Sequence, residues 1–97
     1  MKQTEALSNV GVIGLGYVGL PLIREFMQQG FQVTGFDVDS DKVRLLKSGG
    51  SYLKHFSAEI VKSWAASGRF QPTTDFKLLA ECEHILICVP TPLDTTM

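Results

Sequence analysis

Three glycines, Gly14, Gly16 and Gly19, followed 18 positions after the last by Asp37, are the residues whose types and spacing could do chemistry. The glycines spell G-x-G-x-x-G. In that pattern the first permits a tight turn from strand to helix. The second lets a pyrophosphate come up to the backbone, and the third lets helix and strand pack closely. Unpaired N–H groups of the first helical turn then point at the phosphates. Asp37 stands near the offset, roughly 20 residues on, at which such sites place a carboxylate on the adenosine ribose hydroxyls. A negative charge there repels the extra phosphate of NADP, so the pattern favours NAD. Glycine is common in loops and aspartate commonly ends a strand at a turn, so the reading depends on the elements around these residues.

Those elements alternate strand and helix. Val10, Val12 and Ile13 form a short apolar run suited to a strand buried on both faces. A helix counted from Tyr17 gathers Val18, Gly19, Leu22, Ile23, Phe26 and Met27 on one side, tolerates Pro21 in its first turn and stops at Gly30. A second strand, Gln32 to Asp37, carries the acid. Asp39 or Ser40 then caps a helix through Lys47, with Val43 and Leu46 inward and Gly49-Gly50 closing it. Ser51 to Phe56 reads as loop. Ser57 caps a helix with an Ile60, Val61, Trp64 and Ala65 stripe that ends at Gly68, Trp64 serving as a packing anchor. Arg69 to Thr73 is a third strand, Thr74 or Asp75 caps a helix to about Cys82, and Ile85 to Val89 is a continuously apolar fourth strand, internal in its native setting, leading into Pro90-Thr91-Pro92.

This alternation predicts an α/β fold, a Rossmann-type doubly wound parallel sheet of order 3-2-1-4, truncated after the fourth strand. The reversal between strands 1 and 4 places a crevice at their carboxyl ends, so the glycine loop and Val89 to Pro92 face one ligand. Residues 1–9 are polar and read as a flexible arm, and 10–97 as the dinucleotide-binding domain. An apolar fourth strand without a neighbour would be an exposed edge. Either the chain is part of a longer enzyme or another chain covers that edge, and a homo-oligomer is expected.

With 97 residues, the chain is one small domain. Its net charge of −1 comes from interspersed charges, giving no basic stripe for nucleic acid and no polybasic membrane patch. The apolar stretch from Val10 to Ile23 is too short and too glycine-rich to span a bilayer. Two cysteines do not make a secreted disulfide framework. A cytoplasmic protein acting on a small molecule is expected. Cys82, His84 and Cys88 lack a closed metal-ligand spacing and read as packing residues, with no metal.

The runs Gly14-Leu15-Gly16-Tyr17-Val18-Gly19-Leu20-Pro21-Leu22, Gly35-Phe36-Asp37-Val38-Asp39 and Cys88-Val89-Pro90-Thr91-Pro92 resemble the amino-terminal domain of the UDP-sugar 6-dehydrogenases. Ser51-Tyr52-Leu53-Lys54-His55 and Thr73-Thr74-Asp75 are more similar to the UDP-N-acetylhexosamine branch, which includes UDP-N-acetylmannosamine dehydrogenase, than to the UDP-glucose branch. The resemblance implies oxidation of a sugar C6 hydroxymethyl to a carboxylate with two NAD. It implies that Gly14, Gly16, Tyr17 and Val18 contact the pyrophosphate, that Asp37 and Lys42 meet the ribose, and that Val89, Pro90 and Thr91 line the crevice. The family's glycine-flanked catalytic Cys, its oxyanion-stabilising Lys and Asn and its UDP-binding domain would lie beyond Met97. The chain alone is therefore expected to bind cofactor without turning over a UDP-sugar.

Alternatives stand beside several of these roles. Lys42 could equally be a solvated helix-face charge, and the Tyr17 ring could pack over the helix start. Thr91, between two prolines that fix its backbone, is the stronger side-chain contact. Cys88 lacks the flanks of the family's nucleophile, and His55 has no assignable role. Rival functions are another NAD-dependent dehydrogenase of the 3-hydroxyacid or 6-phosphogluconate type, and a non-catalytic Rossmann-type NAD-sensing module.

Overall fold

The apolar runs pair as a four-stranded, wholly parallel sheet in the order β3-β2-β1-β4. In the computed structural model, which describes residues 8–51 and 57–88, the strands are β1 (Asn9–Ile13), β2 (Gln32–Phe36), β3 (Phe70–Thr73) and β4 (His84–Ile87). The helices are α1 (Gly19–Gln28), α2 (Ser40–Lys47) and α3 (Ala58–Ser67), with a 3₁₀ helix at Phe76–Glu81. Both the order and the parallel pairing are those expected from the alternation of elements.

Side chains alternate across the sheet. On one face Val10, Val12 and Val33 pack under Leu20, Ile23 and Met27 of α1, with Val43, Leu46, Val61, Trp64 and Phe70 extending the same core. Trp64 is the expected anchor, buried and edge-on to Phe70 at 5.3 Å between ring centroids. On the other face Phe36 is fully buried and its ring lies 5.5 Å from that of Phe76. Gly11 leaves room there for Cys82, whose Sγ would lie 2.8 Å from an added Cβ.

Helix ends follow local chemistry. The Asp39 carboxylate accepts from the N–H groups of Asp41 and Lys42 at the start of α2, and the Ser57 hydroxyl accepts from the Ile60 N–H at the start of α3. Gly30, Gly49 and Gly68 follow α1, α2 and α3 in left-handed conformations that other residues rarely adopt.

Several elements depart from expectation. Asn9, expected in the arm, opens β1. Its Nδ2 donates to the Glu81 carbonyl at 3.1 Å, which draws it into the sheet. α1 begins at Gly19 and not Tyr17, which leaves Val18 outside it and exposed; of the expected side Gly19, Ile23 and Met27 are buried, joined by Leu20, and Leu22 and Phe26 are half-buried. Ala65 also faces solvent. The helix expected to follow Thr74 or Asp75 as far as about Cys82 is 3₁₀, with Asp75 as its cap. From β3 to β4 the chain must cross about 14 Å at a strand spacing of about 4.8 Å. Six residues cover about 12 Å in a 3₁₀ helix but only about 9 Å in an α-helix. As the expected strand order requires, β4 lies at the sheet edge, with Ile85 and Ile87 exposed. Residues 1–7, 52–56, which include His55, and 89–97 lie outside the described residues.

Candidate functional site

β1 ends at Ile13, and the chain turns at once into α1 through the three glycines. Gly14 has φ 103°, a left-handed conformation that suits glycine, and its N–H donates to the Phe36 carbonyl at 2.8 Å. That bond continues the β1–β2 ladder into the turn. Gly19 is required by close approach: a Cβ there would lie 1.8 Å from the Gly14 carbonyl oxygen. Gly16 is the opposite case, since an added Cβ would meet nothing within 4 Å. Its face is open, as a backbone must be if a phosphate is to reach it.

Among the described residues, the N–H groups of Gly16 and Tyr17 find no protein acceptor. The N-cap of α1 is Val18, which has no side chain to accept from the first turn, and that turn carries no acid. α2 and α3, by contrast, are both capped. The open end of α1 therefore presents donors and a partial positive charge with no competing carboxylate of its own helix. Tyr17 and Val18 flank the opening and are 74% and 60% exposed, so the Tyr17 ring does not pack over the helix start.

Asp37 follows β2 directly and is half-buried beside this loop. Its Oδ2 accepts from the Leu15 N–H at 2.9 Å, and its Oδ1 accepts from the Asp39 N–H at 2.9 Å. Lys42, in the first turn of α2, has its backbone N–H on the Asp39 carboxylate, which places it next to the segment that carries Asp37. Cys88 donates its N–H to the Ile13 carbonyl at 2.7 Å, so the chain leaves β4 alongside the residue before Gly14. Val89, Pro90 and Thr91 come next and lie outside the described residues.

The glycines and Asp37 are thus brought together as the spacing required, while two supporting residues escaped sequence reasoning. The Leu15 side chain is fully buried, and Gly35 of β2 makes room for it: a Cβ at Gly35 would lie 2.8 Å from Leu15 Cδ2. Arg69, read only as the start of a strand, donates from Nη1 to the carbonyls of Met27 and Phe31 at 3.2 and 2.9 Å and holds the far end of α1. The apolar character of Leu15 within a glycine loop was the one available sign of the first. Nothing local signals the second.

Cys82 and Cys88 are free thiols. Burial pushes both up from the ordinary thiol value, for Cys82 against a Thr34 hydrogen bond that lowers it and with a further rise from Glu81. Both therefore stay protonated at neutral pH, in keeping with packing roles. Among the described residues no group of three His, Cys, Asp or Glu side chains could hold a metal, and no helix is long and apolar enough to cross a membrane.

An open glycine, unpaired N–H donors at an uncapped helix and a carboxylate at the end of the neighbouring strand define a Rossmann-type dinucleotide-binding domain. The chain belongs to the UDP-glucose/GDP-mannose dehydrogenase family, whose NAD binding domain matches residues 8–97. Its relatives include the UDP-N-acetyl-D-glucosamine 6-dehydrogenase of Salmonella typhi, 38% identical over 89% of this chain and 19% of that protein. Another is the UDP-N-acetyl-D-mannosamine dehydrogenase of Methanococcus aeolicus, 33% identical over 94% of this chain and 20% of that protein. Among solved structures, a ternary complex of GDP-mannose dehydrogenase from Pseudomonas aeruginosa superposes with a TM-score of 0.78 at 33% identity, over 86% of this chain and 20% of that one. The chain spans about a fifth of the length of the relatives it matches. The resemblance to the UDP-N-acetylhexosamine branch is borne out, and NAD is the cofactor of the domain.

The residues present fit that group: the cradle at Gly16 is open, its donors suit a pyrophosphate, and the acid at Asp37 suits a ribose that carries no phosphate. When bound, NAD supplies a hydride acceptor. The glycine loop would hold its phosphates and Asp37 its adenosine ribose.

Proposed function

We propose that this chain is the cofactor-holding part of a nucleotide-sugar 6-dehydrogenase that oxidises the C6 hydroxymethyl of a UDP-N-acetylhexosamine to a carboxylate. Gly14, Gly16, Tyr17 and Val18 carry the pyrophosphate, Gly19 lets the helix close on the loop that holds it, and Asp37 and Lys42 take the adenosine ribose; Val89, Pro90 and Thr91, which lie outside the described residues, belong to the same proposed cofactor site. The observation that carries the reading is the open Gly16 face with Asp37 beside it, in a chain of this family. The similarity to proteins named for UDP-N-acetylglucosamine and UDP-N-acetylmannosamine supports the choice of sugar. A cytoplasmic homo-oligomer belongs to the same proposal.

Alcohol to acid is a four-electron oxidation, so two hydrides leave C6 and two NAD are reduced for each sugar. The test is NADH formation by the whole protein with UDP-N-acetylglucosamine, UDP-N-acetylmannosamine, UDP-glucose and GDP-mannose in turn. The expected result is two NADH per sugar consumed, with a UDP-N-acetylhexosamine preferred by kcat/KM. A preference for UDP-glucose or GDP-mannose would overturn the choice of sugar. Oxidation of 3-hydroxyacids or 6-phosphogluconate, with no nucleotide sugar oxidised, would overturn the reaction class.

A further inference from the structure

Both carboxylate oxygens of Asp37 are engaged by the backbone. One carboxylate oxygen holds the Leu15 N–H and the other holds the Asp39 N–H, each at 2.9 Å. The first of these bonds spans 22 residues of sequence and joins the glycine loop to the end of β2. The loop is also gripped from below, where the fully buried Leu15 side chain fills the space left by Gly35. Leu15 is therefore fixed at both its side chain and its N–H, while its neighbours Gly16 and Tyr17 keep N–H groups without an acceptor among the described residues. A carboxylate has about four lone-pair positions. Two are used by the backbone, and two remain for the two hydroxyls of a ribose.

The geometry points to Asp37 as a positioning residue for the phosphate cradle, a latch that holds the glycine loop in its binding shape through backbone bonds and accepts the ribose with its remaining lone pairs. Ribose and pyrophosphate are thereby read by one connected element: the residue that senses the ribose also holds the loop that meets the phosphates. The ribose half of this inference rests on the function proposed above; the latch half does not.

Two readouts on the full chain separate the latch from simple ribose binding. In amide hydrogen exchange, Asp37→Ala should speed exchange at both Leu15 and Asp39 by roughly ten- to a hundredfold, the equivalent of losing a hydrogen bond to a charged acceptor, with remote amides of β1 and β2 unchanged. Asp37→Asn is the variant to use if Asp37→Ala fails to fold. Its amide turns a donor toward one of the two N–H groups, so exchange rises at Leu15 or Asp39 but not at both.

The second readout is binding of an NADH analogue whose adenosine ribose lacks both hydroxyls. A residue that only binds ribose has nothing to lose with that ligand. A latch still loses loop order, and the analogue should bind the substituted protein several-fold more weakly than the unsubstituted one. Unchanged exchange at Leu15 and Asp39, or equal affinity of the analogue for both proteins, would overturn the latch. Failure of unsubstituted protein to bind NADH would instead overturn the proposed function, and the exchange result would still decide the latch.

Discussion

Gly19→Ala is expected to cost about 3 kcal/mol or more, at or beyond the upper end of the usual cost of overpacking. For a domain of this size that lowers Tm by more than about 10 °C. The added Cβ would sit 1.8 Å from the Gly14 carbonyl oxygen and 3.0 Å from its carbonyl carbon, both backbone atoms with no rotamer to move away. The loop cannot easily yield either. Gly14 already holds φ 103° and its N–H is bonded to Phe36, so displacing it loosens the β1–β2 ladder. Since whole domains are stable by only about 5–15 kcal/mol, much of the folded population is at stake. Thermal or urea denaturation reads the effect. A melting temperature within two or three degrees of the unsubstituted chain would mean that the helix does not approach the loop as described.

Gly16→Ala should give the reverse pattern. The new methyl meets no atom within 4 Å, and Gly16 is not among the left-handed glycines, so folding carries no steric penalty. Restricting the unfolded chain even favours the variant, by about 0.4–1 kcal/mol. Binding is another matter. The methyl projects into the space through which a pyrophosphate must approach the Gly16 and Tyr17 N–H groups, and each charge-assisted hydrogen bond lost costs about 1.5–3 kcal/mol. NADH affinity should fall at least about tenfold, and as much as about a hundredfold, at unchanged or slightly raised stability. Titration of NADH fluorescence beside a melting curve separates the two effects. Wild-type affinity in the variant would show that the phosphates do not pass over Gly16.

The contrast between these two glycines marks what could be read from the chain alone. The structural duties of Gly14 and Gly19 are local, set by one turn between a strand and a helix, so their spacing was sufficient. Strand order also followed, because alternation of strand and helix leaves few parallel arrangements. The carboxylate of Asp37 was placed correctly at the end of β2, but its bond to Leu15 was not foreseen. That contact depends on the register of β1 against β2, in which Ile13 lies opposite Phe36.

Register also decides that Gly11 faces Cys82 and that Gly35 faces Leu15, pairs that no local pattern reports. Arg69 is further removed, since it reaches the end of α1 only once β3 lies beside β2. The 3₁₀ helix answers to the width of the sheet it must cross, a tertiary distance that overrides the helical pattern of its own residues.

The cradle of Gly14, Gly16 and Gly19 with Asp37 is expected to hold NAD and refuse NADP. Its most direct test is a pair of titrations of the chain, one with NADH and one with NADPH, at the same ionic strength. Saturable binding of one NADH per chain is expected, with at least about tenfold weaker binding of NADPH, because a 2′-phosphate would be forced against the Asp37 carboxylate, where like charges at contact are repelled. Equal affinity for the two, tighter binding of NADPH, or no saturable binding of NADH would contradict it.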